Sequence, residues 1–556
     1  MKFFRLLYDE AGEGRLQLLI ISLVPGIAMA LVIAVVSTVT DYEQSEGLQW
    51  QLLAFFVLGC AVVLFTMNRA LNAMTAIVAG YLSRMRIHIA DQVRSLNLSA
   101  FENIGIVRIR NAVGHDLQTV EETAPAVVGL IYFTMQLIVS AIYIGYLSPT
   151  AFAVTMVFLA GAVYFYRRSY ADAENLWRRA SAGEAAFHKS FEHLLGGFKE
   201  VKLNSSRSED LYANYIVARS ELVEDLRIRS GRRFNHGQSI SDVFFYALMG
   251  AMVFAIPHYV TDLSVPGKII TVIVFSSGAI TSIVRTLPMV SRANLAVESL
   301  EALDEEFARR VKEAEKPVIT EPASLGSGLT MRRLAYRYDA RDGERGFSVG
   351  PCDLDIDAGE LVFIVGGNGS GKSTFVKLMT RLYEPSDGVL LWDGAAVANG
   401  NVEAYRSLFS VIFTDFHLFD RLYGIDDIDP AHVHALLKDM QLADKVAFRN
   451  GRFSTTDLST GQRKRLAMIV ALLEERPVCV FDEWAADQDP DFRRSYYEAL
   501  LPRLKAEGRT VIAITHDDRY FHLADKLVWM EEGRIVRVDA PQRALADADD
   551  GPPLHP

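Results

Sequence analysis

Residues 361–383 read LVFIVGGNGSGKSTFVKLMTRLY. Five apolar residues bounded by AGE and GG predict a short buried strand. A glycine-rich loop, 366–373, follows at once, and STFVKLMTRLY then carries apolar residues at helical spacing. Strand, loop and helix in that order are the setting in which such a loop grips phosphate. Glycines Gly366, Gly369 and Gly371 let backbone N–H groups approach phosphate oxygens, with Asn368 and Ser370 between them. Lys372 would neutralise the terminal phosphates, the Ser373 hydroxyl would ligate Mg²⁺, and Thr374 opens the helix. A glycine-rich turn with no ligand is the plainer reading; the strand before and the helix after argue against it.

Moving towards the C-terminus, LSTGQ (458–462) directly precedes the helical run RKRLAMIVALLEE. A hydroxyl, a glycine and a helix start form a second anion grip. VCVFDE (478–483) is an apolar strand ending in two acids. Asp482 suits a Mg²⁺-associated carboxylate at a strand end, and Glu483 is placed to orient or deprotonate an attacking water. TVIAITH (510–516) is a third such strand, ending in His516, which at the same edge could sense a terminal phosphate through a hydrogen bond. Strands alternating with helices predict a parallel sheet with its ligand at the carboxyl edge.

The N-terminal half is different. Half of the 556 residues are hydrophobic, and the long apolar runs fall before residue 300. Six of them, roughly 16–40, 50–67, 124–147, 151–166, 240–259 and 268–288, are long enough or nearly so for a ~30 Å hydrocarbon layer. The first exceeds a signal-peptide core in length and is read as a retained helix. Between the first two lies the short acidic DYEQSEG; the segments after the second and fourth are long, arginine-rich and helical in period. The positive-inside rule puts those segments and both termini on the cytosolic side. Expected domains are a membrane half at 1–300, a Pro/Ser/Gly-containing linker at 301–328 and a soluble α/β half at 329–556. Asp242 and Arg285 near span ends admit two readings, a substrate or gating role and simple snorkelling to the interface. The stripe Ser276, Ser277, Thr281 and Ser282 could line a wet cavity or bond neighbouring helices. Cys60, Cys352 and Cys479 show no metal-ligand spacing and are read as core packing in a reducing compartment. A net charge of −11 argues against nucleic-acid binding.

GGNGSGKS, LSTGQ, VCVFDE and ITH, in this order, resemble the ATP-binding cassette family, and the six runs before them resemble an exporter half-transporter. The resemblance spans essentially the whole chain. It implies an all-α six-helix transmembrane domain followed by an α/β P-loop nucleotide-binding domain, with ATP and Mg²⁺ as cofactors. It also implies a homodimer in which the phosphate loop of one copy and the LSTGQ segment of the other enclose each ATP. One chain would therefore carry two grips because they serve two different composite sites. By the same resemblance Glu483 is the catalytic glutamate, His516 the switch histidine and Lys372 the phosphate-loop lysine. Ser373 and Asp482 serve the metal; Ser459, Gly461 and Gln462 face the partner's ATP. Tyr338 stacks on adenine, with Tyr336 second, and Asp489 ends the dimer-contact loop. Two positions depart from the family: Thr414, followed by Asp415, stands where a glutamine is usual, and AADQD (485–489) replaces the commoner SALD. FTDFHLFD, LLGGFKEVKLN, STGQRKRLA and DEWAADQDP are similar to the bacterial subfamily exporting cyclic or siderophore-type peptides, including pyoverdine precursors, syringomycin-like lipopeptides and some microcins. The expected activity is ATP-driven export of such a peptide across the bacterial inner membrane, with the bilayer and a second copy as partners. A lipid or lipopeptide flippase is the alternative, and a non-pumping regulator fits less well because the catalytic positions are intact. The short segment before the first span leaves no room for an N-terminal protease domain.

Overall fold

The computed structural model describes residues 2–39, 50–259, 265–311, 323–338, 347–425 and 428–540. The DYEQSEG loop and most of the connector between the two halves lie outside them. The chain folds as two compact units, 1–86 with 111–302, and 87–110 with 303–556.

Six helical stretches, lying mainly in the first unit, are long and apolar enough to cross a membrane. Their main helices are α1 (Arg15–Val39), α2 (Trp50–Ser95), α3 (Leu117–Leu147), α4 (Pro149–Gly196), α5 (Ala218–Gly250) and α6 (Val265–Val311). Several far exceed the roughly 20 residues a span needs, so the spans continue unbroken as helices, as the periodicity of the polar segments predicts. The α3–α4 turn is set by Ser148, whose hydroxyl accepts from the Ala151 N–H at 3.2 Å, and by Pro149 at the first helical position. Close approach selects small residues: a Cβ on Gly26 of α1 would sit 2.5 Å from the Tyr132 carbonyl of α3, and one on Gly237 of α5 would sit 2.6 Å from Ser169 Cβ of α4. A short amphipathic helix, Lys2–Glu10, buries Phe3 and Leu7, and the Phe3 N–H bonds Asn294 Oδ1 at 2.9 Å.

One expectation is corrected here. Cys352 and Cys479 are buried, but Cys60 is exposed. The most apolar window of α2 has none of its residues buried. Its side chains therefore face outward, where a membrane protein meets lipid, and an apolar run does not by itself mean a protein core.

The second unit holds two main sheets. β1 (Gly328–Arg337), β2 (Ser348–Asp357), β4 (Asp387–Trp392) and β5 (Ala395–Ala396) form an antiparallel sheet in the order β2-β1-β4-β5. β3 (Leu361–Val365), β6 (Phe409–Ile412), β7 (Val478–Asp482), β8 (Thr510–Ile514), β9 (Lys526–Glu531) and β10 (Arg534–Asp539) form the other, in the order β10-β9-β3-β8-β7-β6. The pairs from β9 to β6 are parallel and only β9–β10 is antiparallel. Every residue of β3, β7 and β8 is buried, because a parallel strand is covered on both faces.

Residues 87–110 belong to this second unit. Asn97 caps the helix Leu98–Ile104 by accepting from the Ala100 N–H at 2.8 Å, and Leu98 packs against the core between the sheets. Glu102 accepts from the Tyr383 hydroxyl at 2.7 Å and lies 3.4 Å from Lys377 Nζ. Arg108 pairs with Glu306 at 2.5 Å. Burial, with the bonds to Tyr338 and Glu102, holds the Tyr383 phenol well above its ordinary pKa. We expect Glu102→Ala to lower the melting temperature of the unit by a few degrees, equivalent to about 1–2 kcal/mol for a part-buried charged bond. Scanning calorimetry checks this, and Glu102→Gln should recover part of the loss.

Candidate nucleotide site

The phosphate loop leaves β3 at Val365 and enters α7 (Lys372–Met379). Its backbone is dictated by glycine: Gly366 has φ +153°, and a Cβ there would lie 2.2 Å from the Met530 carbonyl oxygen. Gly369 and Gly371 also have positive φ, a region L side chains rarely enter. Lys372 is buried and its Nζ donates to the Gly366 and Gly367 carbonyls, both at 2.9 Å, so the loop curls around the ammonium group. Burial lowers the pKa of Lys372, partly offset by the nearby Glu483 and Asp482 carboxylates. Asn368 is exposed on the loop, Ser370 is buried, and Ser373 follows Lys372 at the start of α7.

Asp482 ends β7 and is buried. Burial raises its pKa, opposed by hydrogen bonds from Ser373 and Thr414 and by the charge of Lys372. Ser370 Oγ and Asp482 Oδ1 are both buried without a hydrogen-bond partner among the described residues. An unmet acceptor and an unmet hydroxyl beside a buried ammonium group fit a magnesium-bound triphosphate: such a ligand supplies both a cation and anionic oxygens. Glu483 sits in the left-handed region at φ 49°, ψ 37°, a strained conformation for a non-glycine residue and one found at working sites. Its Oε1 is 3.1 Å from His516 Nε2. The sheet register places β8 beside β7, which brings Asp482, Glu483 and His516 to one edge. Thr414 Oγ1 lies 3.5 Å from the Asp482 carbonyl. Thr414 therefore meets the end of β7.

Tyr338 and Tyr336 pack edge to face, with centroids 5.1 Å apart, but differ in their further partners. The Tyr338 hydroxyl is 3.1 Å from Thr374 Oγ1, beside the phosphate loop. The Tyr336 ring is stacked on Tyr383, with centroids 4.5 Å apart and planes 7° from parallel.

The LSTGQ segment opens α8 (Thr460–Leu473). Ser459 is exposed, and its N–H bonds the Gln462 side chain at 3.3 Å, so Gln462 caps its own helix. A Cβ on Gly461 would sit 2.7 Å from the Asp487 carbonyl. Among the described residues, no hydrogen bond or ion pair joins Ser459, Gly461 or Gln462 to residues 366–374. The structure thus brings Lys372, Ser373, Asp482, Glu483, His516, Tyr338 and Thr374 into one neighbourhood, and leaves the LSTGQ residues with other partners.

Two functional neighbours escaped the sequence reading. Lys464 is buried, and its Nζ donates to the Glu483 carbonyl at 2.7 Å and pairs with Asp487 at 2.7 Å. The Trp484 indole returns a bond to the Lys464 carbonyl at 2.8 Å. Arg465 lies over the Phe492 ring at 3.7 Å and binds Gln488 at 2.8 Å and Asp489. Asp489 also accepts from the Phe492 N–H, and these bonds hold its carboxyl below the usual pKa. Spacing gave no signal for them, because α8 buries every residue from Lys464 to Ile469 and not one stripe. A buried cation demands a partner.

Residues 349–486 match the family model described as ABC transporter. Over 545 residues the chain is 32% identical to "ATP-binding protein SyrD" of Pseudomonas syringae pv. syringae, covering 96% of this chain and 95% of that protein. It is 24% identical over 521 residues to "ATP-dependent lipid A-core flippase" of Burkholderia orbicola (strain AU 1054), covering 88% and 84%. A solved bacterial Atm1-family ABC exporter with ATP bound aligns at TM-score 0.69 and 19% identity over 97% of this chain and 96% of that one. At that identity the likeness is one of fold. Six membrane-crossing helices, a phosphate loop on a parallel sheet and a relative alike over nearly its whole length place the chain among the ABC transporters, as a bacterial ATP-hydrolysing half-exporter.

Proposed function

We propose that the chain, as a homodimer in the bacterial inner membrane with its cassettes and termini in the cytosol, exports a cyclic or modified peptide at the expense of ATP. The observation that carries the reading is the separation of the two grips within one chain. Lys372, Asp482, Glu483 and His516 converge at one sheet edge, whereas Ser459 and Gly461 start another helix and need a second copy's nucleotide to act on. In this reading Ser373 and Asp482 hold Mg²⁺, and Tyr338 stacks on the adenine. Glu483 takes a proton from the attacking water while His516 holds its carboxylate in place. The metal supplies charge neutralisation at the phosphates. Support for a peptide cargo comes from the four subfamily-like segments; the relative named as a flippase is the less similar of the two in identity and coverage. The flippase reading has the second of those relatives in its favour. ATP-dependent uptake of candidate cyclic peptides into inside-out vesicles, run beside a phospholipid-translocation assay, tests both. Lipid movement without peptide uptake would overturn the peptide reading.

The metal reading makes a separate prediction at Asp482. Its folded pKa is raised, so the protonated form is favoured by the fold; that stability is present at acid pH and is lost as pH rises through the raised value. At neutral pH without nucleotide, Asp482→Asn should therefore melt a few degrees higher than the wild type. The variant should lose the extra stabilisation that Mg²⁺ adds to bound ATP. Scanning fluorimetry with and without the metal reads both effects.

A further inference from the structure

Within the first unit, α3, α4, α5 and α6 enclose a cavity of about 390 Å³. Its walls are largely apolar and aromatic, with Phe158, Phe244, Phe245 and Tyr246 prominent. Of the several hydroxyls in the lining, two stand apart, Ser140 of α3 and Ser276 of α6. Both side chains are more than nine-tenths buried, and both oxygens have no hydrogen-bond partner among the described residues. Asp242 of α5 is the one carboxylate in the lining, which contains no lysine or arginine. Gln238 donates to it at 3.2 Å. No lysine or arginine among the described residues comes within ion-pair distance of it, and Arg285 of α6 does not line the cavity.

A carboxylate in a membrane-spanning helix is costly unless a cation or several donors compensate it. Asp242 is exposed and has one neutral amide donor, which leaves its carboxylate open to a ligand's cation. The surrounding aromatic faces are electron-rich and attract cations rather than anions, and the two unpaired hydroxyls can bond the polar groups next to such a charge. The volume suits one side chain with an attached ring or short alkyl segment. Asp242 stands sixteen residues before His258, the end of this span, by the difference 258 − 242. That is roughly 24 Å of helical rise, towards one end of a ~30 Å hydrocarbon layer. A cargo entering from that side would meet the carboxylate early.

We propose that this cavity binds an amphipathic organic cation, with the ammonium or guanidinium group of the ligand on Asp242 and its apolar part against the aromatic wall. Identifying that cation as part of the exported molecule rests on the peptide-export reading; the site itself does not. Cargo would then be selected for a basic group beside a hydrophobic one.

The test uses the full chain in phosphatidylcholine nanodiscs, whose headgroups carry no net charge. The probes are N-dansyl-1,8-octanediamine and its N-acetylated, uncharged analogue, followed by dansyl fluorescence. The amine should bind about tenfold more tightly or better than the analogue, as a charge-assisted bond implies. Asp242→Asn should abolish that preference and Asp242→Glu should retain it, which separates charge recognition from misfolding. Replacing both serines by alanine should weaken the amine and the analogue alike. Equal binding of the two probes by the wild type, or a preference that survives Asp242→Asn, overturns the assignment. The same samples in vesicles keep the two readings apart. A preference lost in Asp242→Asn together with failure of all peptide uptake leaves the site standing and removes the peptide reading. Peptide uptake by a protein that binds both probes equally removes the site alone.

Discussion

Glu483→Gln should slow steady-state ATP hydrolysis by about 10²–10⁴-fold, the usual contribution of a positioned general base. ATP affinity should change little. The substitution preserves shape and keeps an oxygen within reach of His516 Nε2, now 3.1 Å from Oε1, but it removes the lone pair that accepts the water's proton. Lys372 and the phosphate-loop backbone, which would hold the nucleotide, are untouched. A single-turnover assay with radiolabelled ATP separates binding from chemistry. Cross-linking or size analysis of the variant with ATP and Mg²⁺ should show two copies locked together. Near-normal turnover would mean that another group does the work, and the role given to Glu483 would fail.

The second large effect should come from Lys464. Its ammonium group fixes the Glu483 carbonyl and Asp487 together. That contact steadies a residue whose left-handed backbone costs about 1–3 kcal/mol. Lys464→Met keeps the length and apolar stem but leaves the Glu483 carbonyl without its donor, a loss of about 1–3 kcal/mol. If that loss appears at the transition state, kcat falls roughly 10–100-fold at nearly constant KM for ATP. The double variant Lys464→Met/Glu483→Gln discriminates a positioning role from an independent one. Residues acting through one another are non-additive, so the double variant should be hardly slower than Glu483→Gln alone. Multiplicative losses would show that Lys464 acts elsewhere.

Much of this was readable from the chain itself, and the reasons are local. β3, β7 and β8 are wholly apolar runs with polar residues at one end, so strand length and the position of the edge follow from composition. The six spans are legible because a membrane demands long uninterrupted apolar helices. The antiparallel sheet was not, since β1 and β2 mix buried and exposed residues over ten positions and carry register shifts. Lys464 and Arg465 stand in a run of charges that looks like a solvated helix face. Only the packing of α8 against β6 and the Trp484 turn shows them to be interior. Cys60 was misplaced for the converse reason: apolarity marks exclusion from water, and in a membrane protein that is achieved by lipid as well as by protein. The assignment of residues 87–110 to the cassette unit also depends on long-range pairs, Glu102 with Tyr383 and Arg108 with Glu306, which no local pattern encodes.

That last arrangement bears on how the molecule can be dissected. A fragment beginning after α6 would look, from its motifs, like a self-sufficient ATPase. It would lack Leu98, which packs against the buried cluster between the sheets, and it would leave the Tyr383 hydroxyl without its carboxylate. Such a truncated piece should be stickier and less thermostable than the same residues within the intact polypeptide. Adding the peptide 87–110 in trans should restore part of the difference.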